Sequence, residues 1–124
     1  MLKETFTWYV DAEQPKKGFQ SRHVATVVIR RKDGLDGTPV YYVGVASKHP
    51  KDKLPFVKSE GRTLATTRAV HANACFSMDE LLRETRRALC REVKDTQTLL
   101  LIDSKRLFER IKFVLEKYNE RAAS

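Results

Sequence analysis

The pattern of hydrophobic and polar positions changes near Phe76 and divides the chain into two parts. Before Phe76, β-branched and aromatic residues form short alternating runs, which are typical of strands. After it, apolar residues recur every three or four positions, which is typical of amphipathic helices. We therefore predict a single domain over 1–124, with mainly sheet and a basic loop over 1–75 and a helical part over 76–124.

Three strands are predicted in the first part, over Thr5–Val10, His23–Arg31 and Val40–Ser47. The segment DGLDGTP between the second and third strands contains two Asp-Gly pairs, which favour a tight turn in an antiparallel hairpin. Side chains alternate between the two faces of a strand. This alternation predicts that Trp8 is buried beside an exposed Tyr9, and that Tyr42 is a better surface candidate than Tyr41.

Residues 59–74 fit two structures. Their threonines are compatible with a strand, whereas small apolar residues at helical spacing after Ser59 favour a helix. Further along, Ser77-Met-Asp-Glu80 has the pattern of a capping box and predicts a helix that ends near Asp95. Within that helix, Arg86, Arg87 and Arg91 are expected to make intrahelical pairs with acidic neighbours.

The end of the chain contains a short apolar run and a last amphipathic helix. Leu99–Ile102 is either a strand or a turn packed on the core, and Asp103 or Ser104 caps a helix that ends near Arg121. Its broad apolar face is covered either by the chain's own sheet or by a partner subunit, and we predict a homodimer or higher oligomer. The predicted fold class is α+β: an antiparallel sheet of three to four strands followed by two to three helices packed on one face.

Charge is concentrated in one segment. The formal net charge is +8, and residues 48–68 carry six basic and two acidic side chains. A local excess of cations favours a polyanionic partner, because lysine and arginine neutralise phosphates and release counterions. The alternative is a solvated basic face. The candidate phosphate-binding residues are Lys48, Lys51, Lys53, Lys58, Arg62 and Arg68.

Aromatic residues near this segment are candidates for stacking on bases. They are Phe56, Tyr42 and Tyr9, and the alternative for each is packing in the core. At the end of the second strand, Arg30, Arg31 and Lys32 would widen the basic surface, unless they only make the strand end soluble.

Other chemistry has little support. The carboxylates are scattered at turns and helix ends, and neither a phosphate-binding glycine loop nor a metal-ligand motif is present. We therefore predict no catalytic residue, no metal and no cofactor. The alternative is a nuclease that uses His49 or His71. Cys75 and Cys90 are interpreted as small, reduced core residues. No apolar run is long enough to span a bilayer, so we expect no membrane partner and a cytoplasmic location.

The segment YVGVASKHPKDKLPFVKSEGRTLATTRA, from Tyr42 to Ala69, resembles a segment of small proteins from tailed bacteriophages. The whole chain is similar in plan to the small single-stranded DNA-binding proteins that phages make early in infection to help a phage RNA polymerase engage its template. A basic sheet backed by helices also resembles the Whirly, positive cofactor 4 and PUR families. These resemblances imply binding of single-stranded DNA, homo-oligomerisation and contact with a polymerase.

The sequence therefore predicts a non-enzymatic protein that binds single-stranded nucleic acid with low sequence specificity. The resemblances imply that this nucleic acid is DNA and that the protein aids phage transcription or replication. The alternative is a phage-encoded adaptor or inhibitor that binds a host protein through the same basic surface. An acidic partner would suit this surface as well as a nucleic acid does.

Overall fold

The structure is a computed structural model that describes residues 4–12, 22–47, 58–94 and 96–123. It contains a three-stranded antiparallel sheet followed by helices, which confirms the α+β fold class. The strands are β1 (Thr5–Ala12), β2 (Arg22–Asp33) and β3 (Pro39–Ser47), and the helices are α1 (Lys58–Val70), α2 (Met78–Glu92), α3 (Thr96–Leu100) and α4 (Ser104–Ala123).

The sheet has the strand order β1-β2-β3, and the predicted β2–β3 hairpin is confirmed. Its turn uses the second Asp-Gly pair. Gly37 has a φ of 83°, which is unfavourable for other residues, and the Thr38 amide donates to Asp36 Oδ1 at 3.0 Å. The β1–β2 register shifts between Val10 and Asp11, where a β-bulge interrupts the pairing.

One face of the sheet carries the main core. Its side chains, including the buried Trp8 and Tyr41, pack with Leu81 of α2 and with Ile111 and Leu115 of α4. The apolar face of α4 is therefore covered by the chain's own sheet, which was one of the two predicted alternatives. The oligomeric state stays a prediction, but covering this face does not require a second subunit.

Helix α1 packs on the opposite face of the sheet, so the helices cover both faces and not one face as predicted. The helical alternative is confirmed for residues 59–70, and residues 71–74 lie beyond the end of the helix. The contact is made by small residues: Ala65 and Ala69 pack against Val28 and Ala46. A Cβ atom at Gly44 would collide with the backbone carbonyl of Ala65 and the backbone nitrogen of Ala69. Only glycine at this position allows the helix to approach the sheet so closely.

Two local predictions need correction, and one pair of alternatives is resolved. Ser77 is the N-cap residue of α2, but its side chain makes no capping hydrogen bond, so the predicted capping box does not form. The apolar run over 99–102 begins in the five-residue helix α3 and continues into a turn at Leu101 that packs on the core, so the predicted turn is closer to the structure than the predicted strand. Cys75 and Cys90 are exposed rather than buried. The cap of α4 is as predicted, since the Arg106 amide donates to Asp103 Oδ1 at 3.1 Å.

The helical part contacts both outer strands of the sheet through isolated bridges. Ile102 pairs with Ala12 at the free edge of β1. Phe76 pairs with Tyr41 at the free edge of β3, where the two residues exchange backbone hydrogen bonds of 2.9 and 2.8 Å. Among the described residues, no helix is long and apolar enough to cross a membrane.

Candidate nucleic-acid interface

Four of the predicted site residues point to the side of the sheet that α1 covers, which we call the α1 face. Residues directly opposite in an antiparallel pair share a face, and positions two apart along a strand do so as well. Arg30 is opposite Tyr42 and lies two positions from Val28, which packs on α1. The same reasoning places Lys32 and Tyr9 on the α1 face, since Tyr9 is opposite Thr26.

The first cation–aromatic pair lies at the start of α1. The ammonium of Lys58 is 5.1 Å from the centroid of the Tyr9 ring, and Lys58 is exposed. The ring of Tyr9 also meets His23 edge to face, with centroids 5.5 Å apart. Tyr9 is half-buried, so its ring is held in place while part of it stays accessible to a ligand.

The β-bulge explains why His23 reaches Tyr9. Because the register shifts after Val10, His23 lies opposite Asp11 and shares its face. The His23 Nδ1 atom is 3.8 Å from Asp11 Oδ1, and its Nε2 atom is 3.4 Å from Thr26 Oγ1. Burial lowers the pKa of His23 and the nearby Lys58 lowers it further, while Asp11 acts in the opposite direction.

The second cation–aromatic pair lies at the other end of α1. The guanidinium carbon of Arg30 is 5.1 Å from the centroid of the Tyr42 ring. Arg30 Nη1 also donates to the carbonyl of Val70, the last residue of α1, at 3.4 Å. Both residues of the pair are half-buried. At 1.5 Å per residue, the 13-residue helix separates the two pairs by roughly 18 Å.

Two further cations belong to this surface. Arg62 is exposed and follows Lys58 by four positions, so the two side chains lie on the same side of α1. Lys32 is exposed and lies two positions beyond Arg30 on the same strand face. Lys58 and Arg62 thus place positive charge at the end of α1 near Tyr9, and Arg30 and Lys32 place it at the end near Tyr42.

Sequence reasoning missed two arginines that share a hollow with Tyr9. A hollow of about 210 Å³ lies beside β1 and is lined by Tyr9, Asp11 and Asp103, together with Arg106 and Arg110 of α4. Both arginines are exposed and lie one helical turn apart. The available signal was their i, i+4 spacing directly after the Asp103 cap, but the apolar positions of the same helix form the stronger pattern.

Arg31 does not share the surface of its neighbours, which corrects the prediction that it widens the basic track. It is 5% exposed and lies on the face opposite to Arg30. Its Nε atom donates to Asn119 Oδ1 at 2.7 Å, its Nη1 atom is 3.1 Å from Asp33 Oδ1, and its guanidinium carbon is 4.9 Å from the Tyr118 ring centroid. Arg31 therefore holds α4 against the sheet.

Arg68 is also engaged in structural contacts. Its Nη1 atom donates to the carbonyl of Val45 at 2.6 Å and is 2.9 Å from Glu92 Oε2. It links α1 to β3 and to the end of α2. These contacts leave Arg68 less available to phosphates than Lys58 or Arg62, and we remove it from the proposed contact set.

The remaining predicted residues lie outside the described residues. They are Lys48, Lys51, Lys53 and Phe56, together with His49 of the nuclease alternative. Their role stays a prediction. In chain order they connect the end of β3 to the start of α1.

Among the described residues, no group of three or more His, Cys, Asp or Glu side chains is arranged to hold a metal ion. His71 is exposed in the turn that follows α1. A comparison of the chain with models of protein families, with curated proteins and with solved structures gave no match.

Proposed function

We propose that this protein binds single-stranded nucleic acid across the α1 face. The observation that carries the proposal is the pair of cation–aromatic contacts at the two ends of α1, Lys58 on Tyr9 and Arg30 on Tyr42. Each offers a positive charge for a phosphate beside a flat ring for a base, which are the two contacts that single-strand binders combine.

The positive charge on this surface supports binding to the phosphate backbone of the nucleic acid. Lys58, Arg62 and Lys32 are exposed, and none of them forms an ion pair with a carboxylate in the described parts of the chain. Such cations neutralise phosphates of any sequence, so the expected specificity is low. The tyrosine rings would stack only on bases that are unpaired, which favours single strands over duplexes.

The test is the binding of a fluorescein-labelled oligothymidylate to the full chain, followed by fluorescence anisotropy over a range of salt concentrations. The Lys58→Ala/Arg62→Ala variant should bind at least about tenfold more weakly at low salt. The slope of log K against log salt should also fall by about 1.4, since each phosphate contact to a single strand contributes about 0.7.

The matched control is Lys94→Ala/Lys117→Ala, which removes the same charge from exposed positions outside the α1 face. It should keep both the affinity and the slope close to those of the wild-type protein. Equal losses in the two variants would mean that net charge alone drives binding, and the proposed surface would be wrong. Metal-dependent degradation of the oligonucleotide would favour the nuclease alternative instead.

The same assay with labelled RNA and with duplex DNA tests whether single-stranded DNA, the ligand that the resemblances imply, binds most tightly. Binding of duplex with the affinity of the single strand would contradict the stacking role of Tyr9 and Tyr42. The phage context and the contact with a polymerase, which the resemblances imply, stay predictions.

A further inference from the structure

A groove of about 400 Å³ lies between α2 and α4. Its apolar floor is formed by Leu82 and Phe108. Phe108 is 8% exposed and belongs to the main core, and the half-buried Leu82 packs against the same core. The groove is therefore an opening onto the core between two helices, and its volume falls within the range of ligand pockets in proteins. We call it the α2–α4 groove.

The rim of the groove is basic. The positively charged residues that line it are Arg83, Arg86, Lys105 and Lys112, and the negatively charged residue is Glu109. Lys112 lies 3.9 Å from Glu116, whereas Arg83, Arg86 and Lys105 form no ion pair within the described ranges. Arg86, which the sequence predicted to pair with an acidic neighbour, instead lies 5.2 Å from the centroid of the Phe108 ring.

This combination favours one kind of ligand. An apolar floor binds the large apolar side chains of a partner, and a cationic rim binds carboxylates next to them. Stacking of a nucleic-acid base is less suitable here, because Phe108 is only 8% exposed, whereas Tyr9 and Tyr42 are half-buried. A groove between two helices can bind an amphipathic helix of a partner, whose apolar face then packs on the floor of the groove.

We propose that the α2–α4 groove binds an acidic amphipathic segment of a partner protein. One or two large apolar side chains of the segment pack on Leu82 and Phe108. Its Asp or Glu residues pair with the cations of the rim, above all Arg83, Lys105 and Lys112. The complementary charge increases the association rate and makes the affinity depend on salt.

This proposal does not rest on the proposed nucleic-acid binding. Helices α2 and α4 pack on the main core, on the face of the sheet opposite to α1. A partner segment in the α2–α4 groove and a nucleic acid on the α1 face would therefore occupy different sides of the molecule. The protein would then connect the two ligands.

The test uses a displayed library of random peptides, each long enough for four helical turns, selected against the immobilised full chain. The selected peptides should combine Asp or Glu with large apolar residues at i, i+3 or i, i+4 spacing. After synthesis and labelling, they should bind the Lys105→Glu/Lys112→Glu variant at least about tenfold more weakly than the wild-type protein. Both substitutions are at exposed positions, so the fold is expected to persist.

The control variant is Lys94→Glu/Lys117→Glu, which makes the same change in net charge away from the groove, at exposed positions. It should bind the selected peptides within about twofold of the wild-type protein, since neither position lines the groove and exposed charges outside it are partly screened by salt. Peptides without the acidic–apolar pattern, or equal weakening in both variants, would overturn the proposal.

Two further measurements identify other occupants of the groove. If Lys105→Glu/Lys112→Glu weakens oligonucleotide binding as strongly as Lys58→Ala/Arg62→Ala does, the groove belongs to a nucleic-acid surface and the proposal is wrong. If the same substitutions dissociate an oligomer in sedimentation velocity, the groove is an interface between copies of the chain, and the proposal is wrong as well.

Discussion

Arg30 and Arg31 are neighbours in the sequence, but they lie on opposite faces of the sheet and have different roles. Arg30 lies over Tyr42 on the α1 face and is half-buried. Arg31 is buried under α4, where it contacts Asn119 and Tyr118. A step of one residue along a strand therefore separates a candidate ligand contact from a structural one.

The two faces of the sheet also differ in how their helices are held. On the α2/α4 face, large side chains such as Trp8, Tyr41 and Leu115 bury extensive apolar area. On the α1 face, Ala65 and Ala69 bury little area, and a glycine allows close contact instead. Stability should therefore depend on side-chain volume on the α2/α4 face and on backbone proximity on the α1 face.

The largest expected effect tests this dependence on proximity. Gly44→Ala should reduce the free energy of unfolding by about 3 kcal/mol, because the added methyl group meets the backbone of α1 and cannot be accommodated by rotating a side chain. Urea denaturation monitored by circular dichroism measures the loss. The control is Gly37→Ala in the turn, where no atom lies within 4 Å and only the positive φ is unfavourable, at a cost of about 1 kcal/mol. Equal losses would show that α1 is not held by close contact.

The next largest effect is expected from a direct comparison of Arg30 with Arg31. Arg31→Ala should reduce the free energy of unfolding by about 2 kcal/mol, since it removes a charged hydrogen bond to Asn119 and leaves the half-buried amide oxygen without that donor. Arg30→Ala should have a smaller effect on stability and should weaken oligonucleotide binding. Denaturation and anisotropy on both variants check the contrast, which would be contradicted if Arg31→Ala left stability intact.

A smaller difference in stability is expected between variants of Arg68 and Arg62, the two arginines of α1. Arg68→Ala should reduce the free energy of unfolding by about 1 kcal/mol, because its bonds to Val45 and Glu92 are partly exposed and screened by salt. Arg62→Ala should change stability by less than about 0.5 kcal/mol, since its exposed side chain forms no described bond. For oligonucleotide affinity, in contrast, Arg62→Ala should cause the larger loss and Arg68→Ala the smaller one. Loss of affinity in Arg68→Ala alone would return Arg68 to the contact surface.

The smallest expected effect is a pH dependence from His23. Because the folded protein lowers the pKa of His23 below 6.5, the unfolded chain takes up the proton more readily. The contribution of neutral His23 to the free energy of unfolding is therefore fully present above pH 6.5, and it is lost as the pH falls below that value. Urea midpoints at pH 7 and pH 5 should fall further for the wild-type protein than for His23→Asn. A larger fall in the variant would mean that the charge of Asp11 outweighs burial.

Much of the fold could be predicted because local patterns determine it. Alternation along the strands correctly placed Trp8 and Tyr41 in the core, and the Asp-Gly pairs identified the hairpin turn. The capping pattern at Ser77 was less reliable. Such a pattern identifies where a helix starts, but the side-chain bond itself depends on a rotamer that the sequence does not determine.

The candidate site was harder to predict because it depends on long-range contacts. Arg31 was grouped with Arg30 as a surface cation, and its burial depends on Asn119, 88 positions away. The pairing of Lys58 with Tyr9 depends on where α1 crosses the sheet, and the α2–α4 groove depends on how far apart two helices pack. None of these distances follows from periodicity.

The bridges at Ala12 and Tyr41 have a consequence for how the chain avoids self-association. Strands β1 and β3 are the two edges of a small sheet, and unpaired edges readily recruit strands from other molecules. Here Ile102 and Phe76, both from the helical part, occupy a position on each edge. Shortening the protein after β3 would expose both edges at once, together with the apolar face between them, and would leave a fragment prone to aggregation.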